Sequence, residues 1–452
     1  MKIIIIGCGK VGVALAEGLS GEQYDVVLVD TCAERLQQVT EDLDAMTIVG
    51  NGSSIAVLSE AGVEDADLLI AVTGSDELNL LCCLIARKQG RCQTVARVRN
   101  PVYNKEIGFI KESLGISMII NPELAAAMEI ARLLRFPSAI NIDTFAKGRV
   151  ELLRFRQMPE FAMDGLTISE LQSRIKSQIL ITGVERQDQA FIPNGDFRLQ
   201  DGDSLFIIAS PQNAGAFFRE IGVKNDRVKN CMIVGGGTIA FYLASQLLSM
   251  HIRVTIIEKS RQRCDTLAEA LPDANIICGD GSNKKLLLDE GLEQAEAFVS
   301  LTNMDEENIL VTLYAKERSR AKLVTKVNRL SFDNLITKLD LGSVISPKDI
   351  TVDYILRYTR AMQNTIGSNV ETLYHILDNK AEALEFVIRE NSEVVGVPLK
   401  ELPLKDNLLV GCINRDGRIM IPWGNDSLQV GDTVIVVTTQ KGLRDIRDIL
   451  KR

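Results

Sequence analysis

Three glycines and one carboxylate carry the first chemical signal in this chain. Gly7, Gly9 and Gly12 stand in the run GCGKVG, directly after the apolar stretch Ile3 to Ile6 and ahead of a helix-like pattern. A glycine-rich turn between strand and helix is suited to phosphate. The first glycine allows the tight turn, the second lets backbone approach a pyrophosphate, and the third permits close helix–strand packing. Unpaired N–H groups at the helix start, with the positive end of the helix dipole, then face the anion. A second apolar strand, Val26 to Val29, ends in Asp30, where a carboxylate can accept both hydroxyls of a ribose. That favours NAD(H), or another adenine nucleotide with a free 2′-OH, over NADP(H), whose 2′-phosphate the carboxylate would repel. Gly7, Cys8, Gly9, Lys10, Val11 and Asp30 are therefore expected to bind a nucleotide cofactor. The alternative, a glycine turn serving topology alone, does not require strand, motif, helix, second strand and terminal acid to agree.

Two further signals point to the same crevice. Thr73-Gly74 ends an apolar strand, on the edge where ligands lie in open parallel sheets. A strand-to-helix cap at the same place is compatible with that role. Arg97 and Arg99 share one face of a fifth strand by its period of two, aimed at an anionic ligand, a neighbouring subunit or simply solvent.

The motif recurs. Gly235-Gly236-Gly237-Thr238-Ile239-Ala240 lies 228 residues after the first glycine run, and Glu258 lies 228 after Asp30. Gly50-Asn51-Gly52-Ser53 and Gly279-Asp280-Gly281-Ser282 are 229 apart. The same spacing relates Thr73 to Thr302, Asp76-Glu77-Leu78-Asn79 to Asp305-Glu306-Glu307-Asn308, and Gly202-Asp203 to Gly431-Asp432. One register held this far marks a tandem duplication. In the second copy Gly235, Gly236, Gly237, Thr238, Ile239, Glu258, Asp280, Thr302 and Lys326 are the candidate nucleotide contacts. Lys326 stands at the position of Arg97 and Asn328 at that of Arg99, so one cation is lost. A degenerate structural copy is the alternative reading of this second site.

The elements that position these residues alternate in kind. Short β-branched strands are predicted at 2–6, 26–29, 47–49, 68–72, 94–98 and 118–120, and again at 231–234, 253–257, 275–278, 297–301, 322–327 and 343–345. Helical patterns separate them, which predicts βαβ units and a doubly wound parallel sheet of the Rossmann type in each copy. A helical pattern then runs from Pro122 to Phe136, with a counterpart near 348–363. Beyond each, short strands (150–156, 179–185 and 204–210; 383–389, 408–414 and 433–438) and turn signals at Asn194-Gly195 and Trp423-Gly424 predict a small α+β domain. The expected domains are 1–124, 144–228, 229–348 and 368–452.

Composition narrows the chemistry. At about 100–200 residues per domain, 452 residues allow two to four domains. The chain is 46% hydrophobic and 25% charged, which excludes a disordered or collagen-like protein. A net charge of −9 opposes binding to nucleic acid or anionic lipid. Only His251 and His375 are present, which deprives zinc, serine-protease and histidine-base chemistry of its usual residue. No catalytic residue and no metal site are expected. Nine cysteines without a CxxC pair read as buried hydrophobes of a reducing compartment, Cys82 and Cys83 included. The N-terminal apolar run is short and breaks into glycines, so no cleaved signal is expected. No stretch approaches the roughly 20 apolar residues of a spanning helix, so the chain is not expected to be a pore.

Taken together, these motifs resemble the RCK (regulator of potassium conductance) family, and within it the duplicated cytosolic subunits of bacterial Trk-type potassium uptake systems. The resemblance rests on IIIIGCGKVG, VVLVD ending at Asp30, VGNGSS at 49–54, AVTGSDELNLL at 71–81, ARVRNP at 96–101 and NPELAAAMEIARLL at 121–134, with GGGTIA, IIEKS and GDGS in the second copy. It covers essentially the whole chain. It implies NAD+ or NADH at Gly7 to Val11, Asp30 on the ribose and Thr73, Gly74 and Arg97 nearby, with ATP or ADP as the alternative at one of the sites. It also implies a homo-oligomeric ring, peripheral on the cytoplasmic side of the inner membrane and docked on a membrane-embedded potassium-translocating subunit. Nucleotide would bias the ring through the helices near 122–136 and 348–363, for which plain intradomain packing is the other reading. Lys10, within the glycine loop, departs from the pattern and either meets a phosphate or faces solvent.

The rival class is an NAD-dependent oxidoreductase with a small substrate domain. It needs a base beside the nicotinamide, and segments 144–222 and 372–449 are poor in candidates. His251 is expected in a helix-to-strand connection and His375 at a domain entrance. A scaffold holding an inert nucleotide is the third reading.

Overall fold

The computed structural model describes residues 1–451 apart from 44, 105, 137–138, 146–148, 160, 162, 188, 223–227, 329–338, 340, 365–369, 378–379 and 390–391. The expected boundaries at 368 and 452 therefore lie outside the described residues. The chain forms two compact units. One joins Met1–Ala131 with Lys229–Thr359, and the other joins Arg132–Val228 with Arg360–Arg452.

The first unit holds the two glycine motifs. Numbered along the chain, its strands are β1 (Lys2–Ile6), β2 (Asp25–Asp30), β3 (Met46–Val49), β4 (Leu68–Ala71), β5 (Gln93–Arg97) and β6 (Met118–Ile120) in the first repeat. In the second they are β12 (Asn230–Val234), β13 (Arg253–Glu258), β14 (Asn275–Cys278), β15 (Ala297–Ser300), β16 (Lys322–Lys326) and β17 (Ser343–Ile345). Each six-stranded sheet is parallel, ordered β3-β2-β1-β4-β5-β6 and β14-β13-β12-β15-β16-β17. The central strands are apolar runs because helices cover both faces. Ile3, Ile4 and Ile5 are fully buried, and such burial contributes about 1.5–3 kcal/mol per side chain. Strand order reverses direction at β1 and β12, and a crevice opens at the carboxyl ends of the strands there.

Sequence periodicity placed these strands to within a residue or two. The fifth strand stops at Arg97, so Arg99 lies past the sheet and its backbone N–H is held by Asp76 Oδ2 at 2.9 Å. The helices after the sixth strands run Pro122–Arg135 and Pro347–Asn364. The latter packs on the first repeat, where a methyl at Gly18 would meet Leu356 Cδ1 at 3.2 Å. Asn121, just ahead of the former, donates to Tyr242 Oη of the second repeat at 3.1 Å. Both contacts cross between repeats, so packing within one domain is not the whole of what these elements do.

The second unit contains two antiparallel five-stranded sheets. Their strands are β7 (Ala139–Phe145), β8 (Val150–Arg156), β9 (Ile179–Arg186), β10 (Gln189–Phe191) and β11 (Ser204–Ala209), then β18 (Val370–Ile376), β19 (Ala381–Val387), β20 (Leu408–Arg415), β21 (Arg418–Met420) and β22 (Thr433–Thr438). The orders are β10-β9-β11-β8-β7 and β18-β19-β22-β20-β21. Phe145 and Val150 of one repeat share a core with Tyr374, Ile376 and Cys412 of the other, and Tyr374 Oη donates to the Thr144 carbonyl at 2.7 Å. The repeated Gly-Asp pairs have a structural use. Gly202 and Gly431 take positive φ (86° and 96°), and Asp203 and Asp432, each 1% exposed, receive two-pronged contacts from Arg186 and Arg415 at 2.7–2.8 Å.

Among the described residues no helix is long and apolar enough to cross a membrane. His251 is exposed in the turn before β13, with φ 61°, and His375 lies within β18, the first strand of its sheet in chain order. Cys82 and Cys83 are fully buried, and burial pushes the Cys82 thiol up to about 11 and Cys83 higher. Since the thiolate is the reactive form, both should resist an alkylating reagent at pH 8 in the native protein. Exposed Cys278 should react first, an order that mass spectrometry of timed samples reads directly.

Candidate functional site

The first glycine turn has the strain and space a ligand loop needs. Gly7 has φ 104°, and a Cβ there would lie 3.0 Å from the Thr73 backbone nitrogen. A Cβ at Gly12 would fall 1.9 Å from the Gly7 carbonyl oxygen, so helix and strand touch through bare backbone. At Gly9 a Cβ would meet nothing within 4 Å. Gly9 is also the N-cap of the helix Lys10–Gly21 and offers it no side-chain acceptor. The first-turn N–H groups thus point into open space, where an anion can take them.

Asp30 closes the turn from the β2 side. It is 9% exposed, and its two oxygens accept from the Cys8 N–H at 2.6 Å and the Cys32 N–H at 2.8 Å. A carboxylate has about four acceptor sites, so two remain for a ribose. The Cys8 side chain is buried, and it serves the site through its backbone.

Beyond the loop, the ends of β4 and β5 are tied by one residue that the sequence marks only through its repetition in both copies. Asn79, fully buried, accepts from the Thr73 N–H (2.8 Å) and hydroxyl (2.7 Å) and donates to the Arg97 carbonyl (2.8 Å). Asn308 does the same for Thr302 (2.9 and 2.8 Å) and the Lys326 carbonyl (3.0 Å). Replacing Asn79 by alanine leaves buried polar groups unpaired. The expected cost is about 2 kcal/mol of stability and about a tenfold loss of nucleotide affinity, although Asn79 lies behind the ligand surface. Thermal denaturation and an equilibrium titration of Asn79→Ala check both numbers.

A cleft of about 640 Å³ gathers Gly7, Gly9, Lys10, Val11, Asp30, Thr73, Gly74 and Arg97 from the expected set, with Arg99 beside them. Arg97 Nη2 donates to the Thr73 carbonyl at 2.5 Å, and Arg99 Nη1 lies 3.9 Å from Glu123 Oε1. Burial, then the neighbouring Arg99 charge, pulls the Arg97 guanidinium below its ordinary value, and burial raises the Glu123 carboxyl. The Nε atoms of Arg97 and Arg99 and Oε2 of Glu123 are buried without a partner among the described residues, so this wall carries polar groups that a ligand can satisfy. Arg35, Asn51 and Glu123, which lie outside the expected set, also line the cleft. For Asn51 the sequence does hold a signal, since it is the counterpart of Asp280. Asn328, the counterpart of Arg99, also borders the first cleft.

The second copy repeats the plan at its own sheet. Gly235 has φ 98°, Gly237 has open space, and the helix Thr238–Ser249 again starts without a side-chain cap. Ile239 is buried in that helix. Glu258 accepts from the Gly236 and Ser260 N–H groups, both at 2.7 Å. Lys326 is buried and reaches Asn303 Oδ1 at 3.4 Å, and burial lowers its ammonium below the usual range. Asp280 is held by Lys259 at 2.8 Å and Ser282, which keep its carboxyl well below the usual range.

Known proteins share this plan. The TrkA-N domain family model matches residues 3–122 and 231–347, and the TrkA-C domain model matches 154–222 and 383–451. The Trk system potassium uptake protein TrkA homolog 1 of Methanosarcina mazei is 31% identical over the full length of both chains. The Trk system potassium uptake protein TrkA homolog of Archaeoglobus fulgidus is 32% identical, again over all of both. Among solved structures, the GsuK channel bound to NAD superposes with a TM-score of 0.62 at 18% identity, covering 97% of this chain and 77% of that one, which shows the shared fold. With each repeat matched in both its domains and relatives aligned from end to end, this chain belongs to the TrkA family.

Proposed function

We propose that this chain is the nucleotide-binding regulatory subunit of a Trk-type potassium uptake system. It binds NAD+ or NADH in the first cleft. Gly7 to Val11 receive the pyrophosphate, Asp30 the ribose, and Thr73, Gly74 and Arg97 border the remainder. The second site, Gly235 to Ile239 with Glu258, Asp280, Thr302 and Lys326, takes a related nucleotide, with ATP or ADP as the alternative ligand. Copies of the chain assemble as a ring on the cytoplasmic face of a separate, membrane-embedded potassium-translocating subunit. The protein senses nucleotide and does not transform it.

One observation carries this reading. An uncapped helix start, open space at Gly9 and a carboxylate with two spare acceptor sites converge on one cleft. Full-length relatives named as Trk potassium uptake proteins and the NAD-bound GsuK channel support it. The described residues lining the cleft include no histidine to serve a dehydrogenase. NAD+ and NADH differ in charge and planarity at the nicotinamide, and either shifts the ring only by its difference in affinity for two arrangements.

Titration of the purified chain with NADH, NAD+, ATP and ADP, followed by potassium flux in vesicles carrying the membrane subunit, tests the proposal. Saturable binding and a flux that changes with nucleotide are expected. Flux indifferent to every nucleotide would overturn it, and so would turnover of NADH at 340 nm by the purified chain.

A further inference from the structure

The first cleft is not built from the first repeat alone. Pro122-Glu123 and Pro347-Lys348 occupy matching places, each opening the helix that follows the sixth strand of its sheet. Both pairs line the same cleft, together with Asn328 from the second repeat. A glutamate of one repeat and a lysine of the other therefore border one site. Five basic side chains (Lys10, Arg35, Arg97, Arg99 and Lys348) face two carboxylates (Asp30 and Glu123) among its described lining residues. That balance suits a ligand with more than one negative charge. With the adenosine at Asp30, the cations that line the same cleft, Arg97, Arg99 and Lys348, are available to whatever extends beyond the first phosphate. The Lys348 side chain is 30% exposed, and its Nζ lies 3.4 Å from Asp349 Oδ1, a partly solvated contact that a phosphate can replace.

Resting on the nucleotide-binding reading above, we propose that the first site is shared between the repeats. Lys348 of the second repeat binds the anionic group beyond the first phosphate of a dinucleotide or nucleoside polyphosphate. Each repeat then holds one end of the ligand. Occupancy is linked to how the two sheets are placed within their unit, and a change at Lys348 acts on a glycine motif more than 300 residues away in sequence.

The experiment compares the affinities of NADH, ATP and AMP for the full chain and for Lys348→Ala, Lys348→Glu and Lys348→Arg, all in a Glu258→Ala background that silences the second site, with Lys285→Ala as a control at an exposed position of the second repeat. AMP ends at its single phosphate. A lost charge-assisted contact corresponds to about ten- to a hundredfold. Lys348→Ala should weaken NADH and ATP about tenfold and Lys348→Glu further. Lys348→Arg and Lys285→Ala should stay within about threefold, and AMP should be unchanged throughout. Retained AMP binding also certifies that each variant is folded. The proposal is overturned by unchanged NADH and ATP affinity in Lys348→Glu, or by an equal loss for AMP, and in both cases nucleotide binding itself still stands. Wild-type chain that binds none of the three overturns both readings.

Discussion

Alanine at Gly12 should cost about 3 kcal/mol of stability and abolish measurable nucleotide binding at the first site. The added methyl would sit 1.9 Å from the Gly7 carbonyl oxygen, and the obstacle is backbone, which cannot rotate away. The helix Lys10–Gly21 must move off β1, and overpacking of this kind costs about 1–3 kcal/mol or more. Moving the helix also displaces the N–H groups that face the cleft, so affinity falls with stability. The duplicate supplies the control. Ala240 holds the matching place and is itself buried, so the second helix already stands far enough from its strand to admit a methyl. Ala240→Gly should cost no more than about 1 kcal/mol, the usual penalty of glycine within a helix. Differential scanning calorimetry with an NADH titration in a Glu258→Ala background, which silences the second site, reads both outcomes. A Gly12→Ala chain that melts with the wild type and binds NADH equally would mean that the turn does not hold the ligand.

That contrast shows how the duplication made the architecture legible. One repeat offers a strand, a glycine run and an acid, any of which occurs by accident. Two repeats in one register show which features are held to position, and those are the first two motif glycines, the acids and the strand-end threonine. The small domains were less legible. In β7 the buried residues are Ala139, Ile142 and Phe145, three apart, and a bulge lies between Ala139 and Asn141. A similar shift lies between Val370 and Thr372 in β18. Neither segment alternates as a strand should, and sequence periodicity passed over both. Asn79 was hidden for another reason. A polar residue in a helix-like run reads as surface, and only the fold brings the ends of β4 and β5 to its amide. Lys348 was illegible because a shared cleft depends on how two repeats pack, which spacing within one repeat does not encode.

The two acids differ in a way that makes the second large effect a test of pairing. Asp30→Asn should weaken NADH about a hundredfold, although it is nearly isosteric. Both Asp30 oxygens accept backbone N–H groups, and an asparagine can accept through only one terminal atom, so its amide would face the Cys8 or Cys32 N–H donor-to-donor. Two charge-assisted contacts are weakened and the ribose loses its acceptor, which accounts for about 3 kcal/mol. Asp30→Glu keeps the charge, and Glu258 shows that a glutamate can make the same pair of backbone contacts. That glutamate, however, lies against a glycine. A Cβ at Gly236 would come within 3.0 Å of Glu258 Cβ and Cγ, and the matching residue of the first repeat is Cys8, which has a side chain. The shorter acid therefore goes with Cys8 and the longer one with Gly236. Asp30→Glu alone should lose about tenfold in NADH affinity and Cys8→Gly alone less than threefold. The double variant should recover to within about threefold of wild type, a coupling of the size expected for residues in contact. Affinities that simply multiply across this cycle would show that acid and middle residue are chosen independently. Recovery would show that each repeat solves the ribose contact with its own matched pair, and that residues of the two glycine motifs cannot be exchanged one at a time.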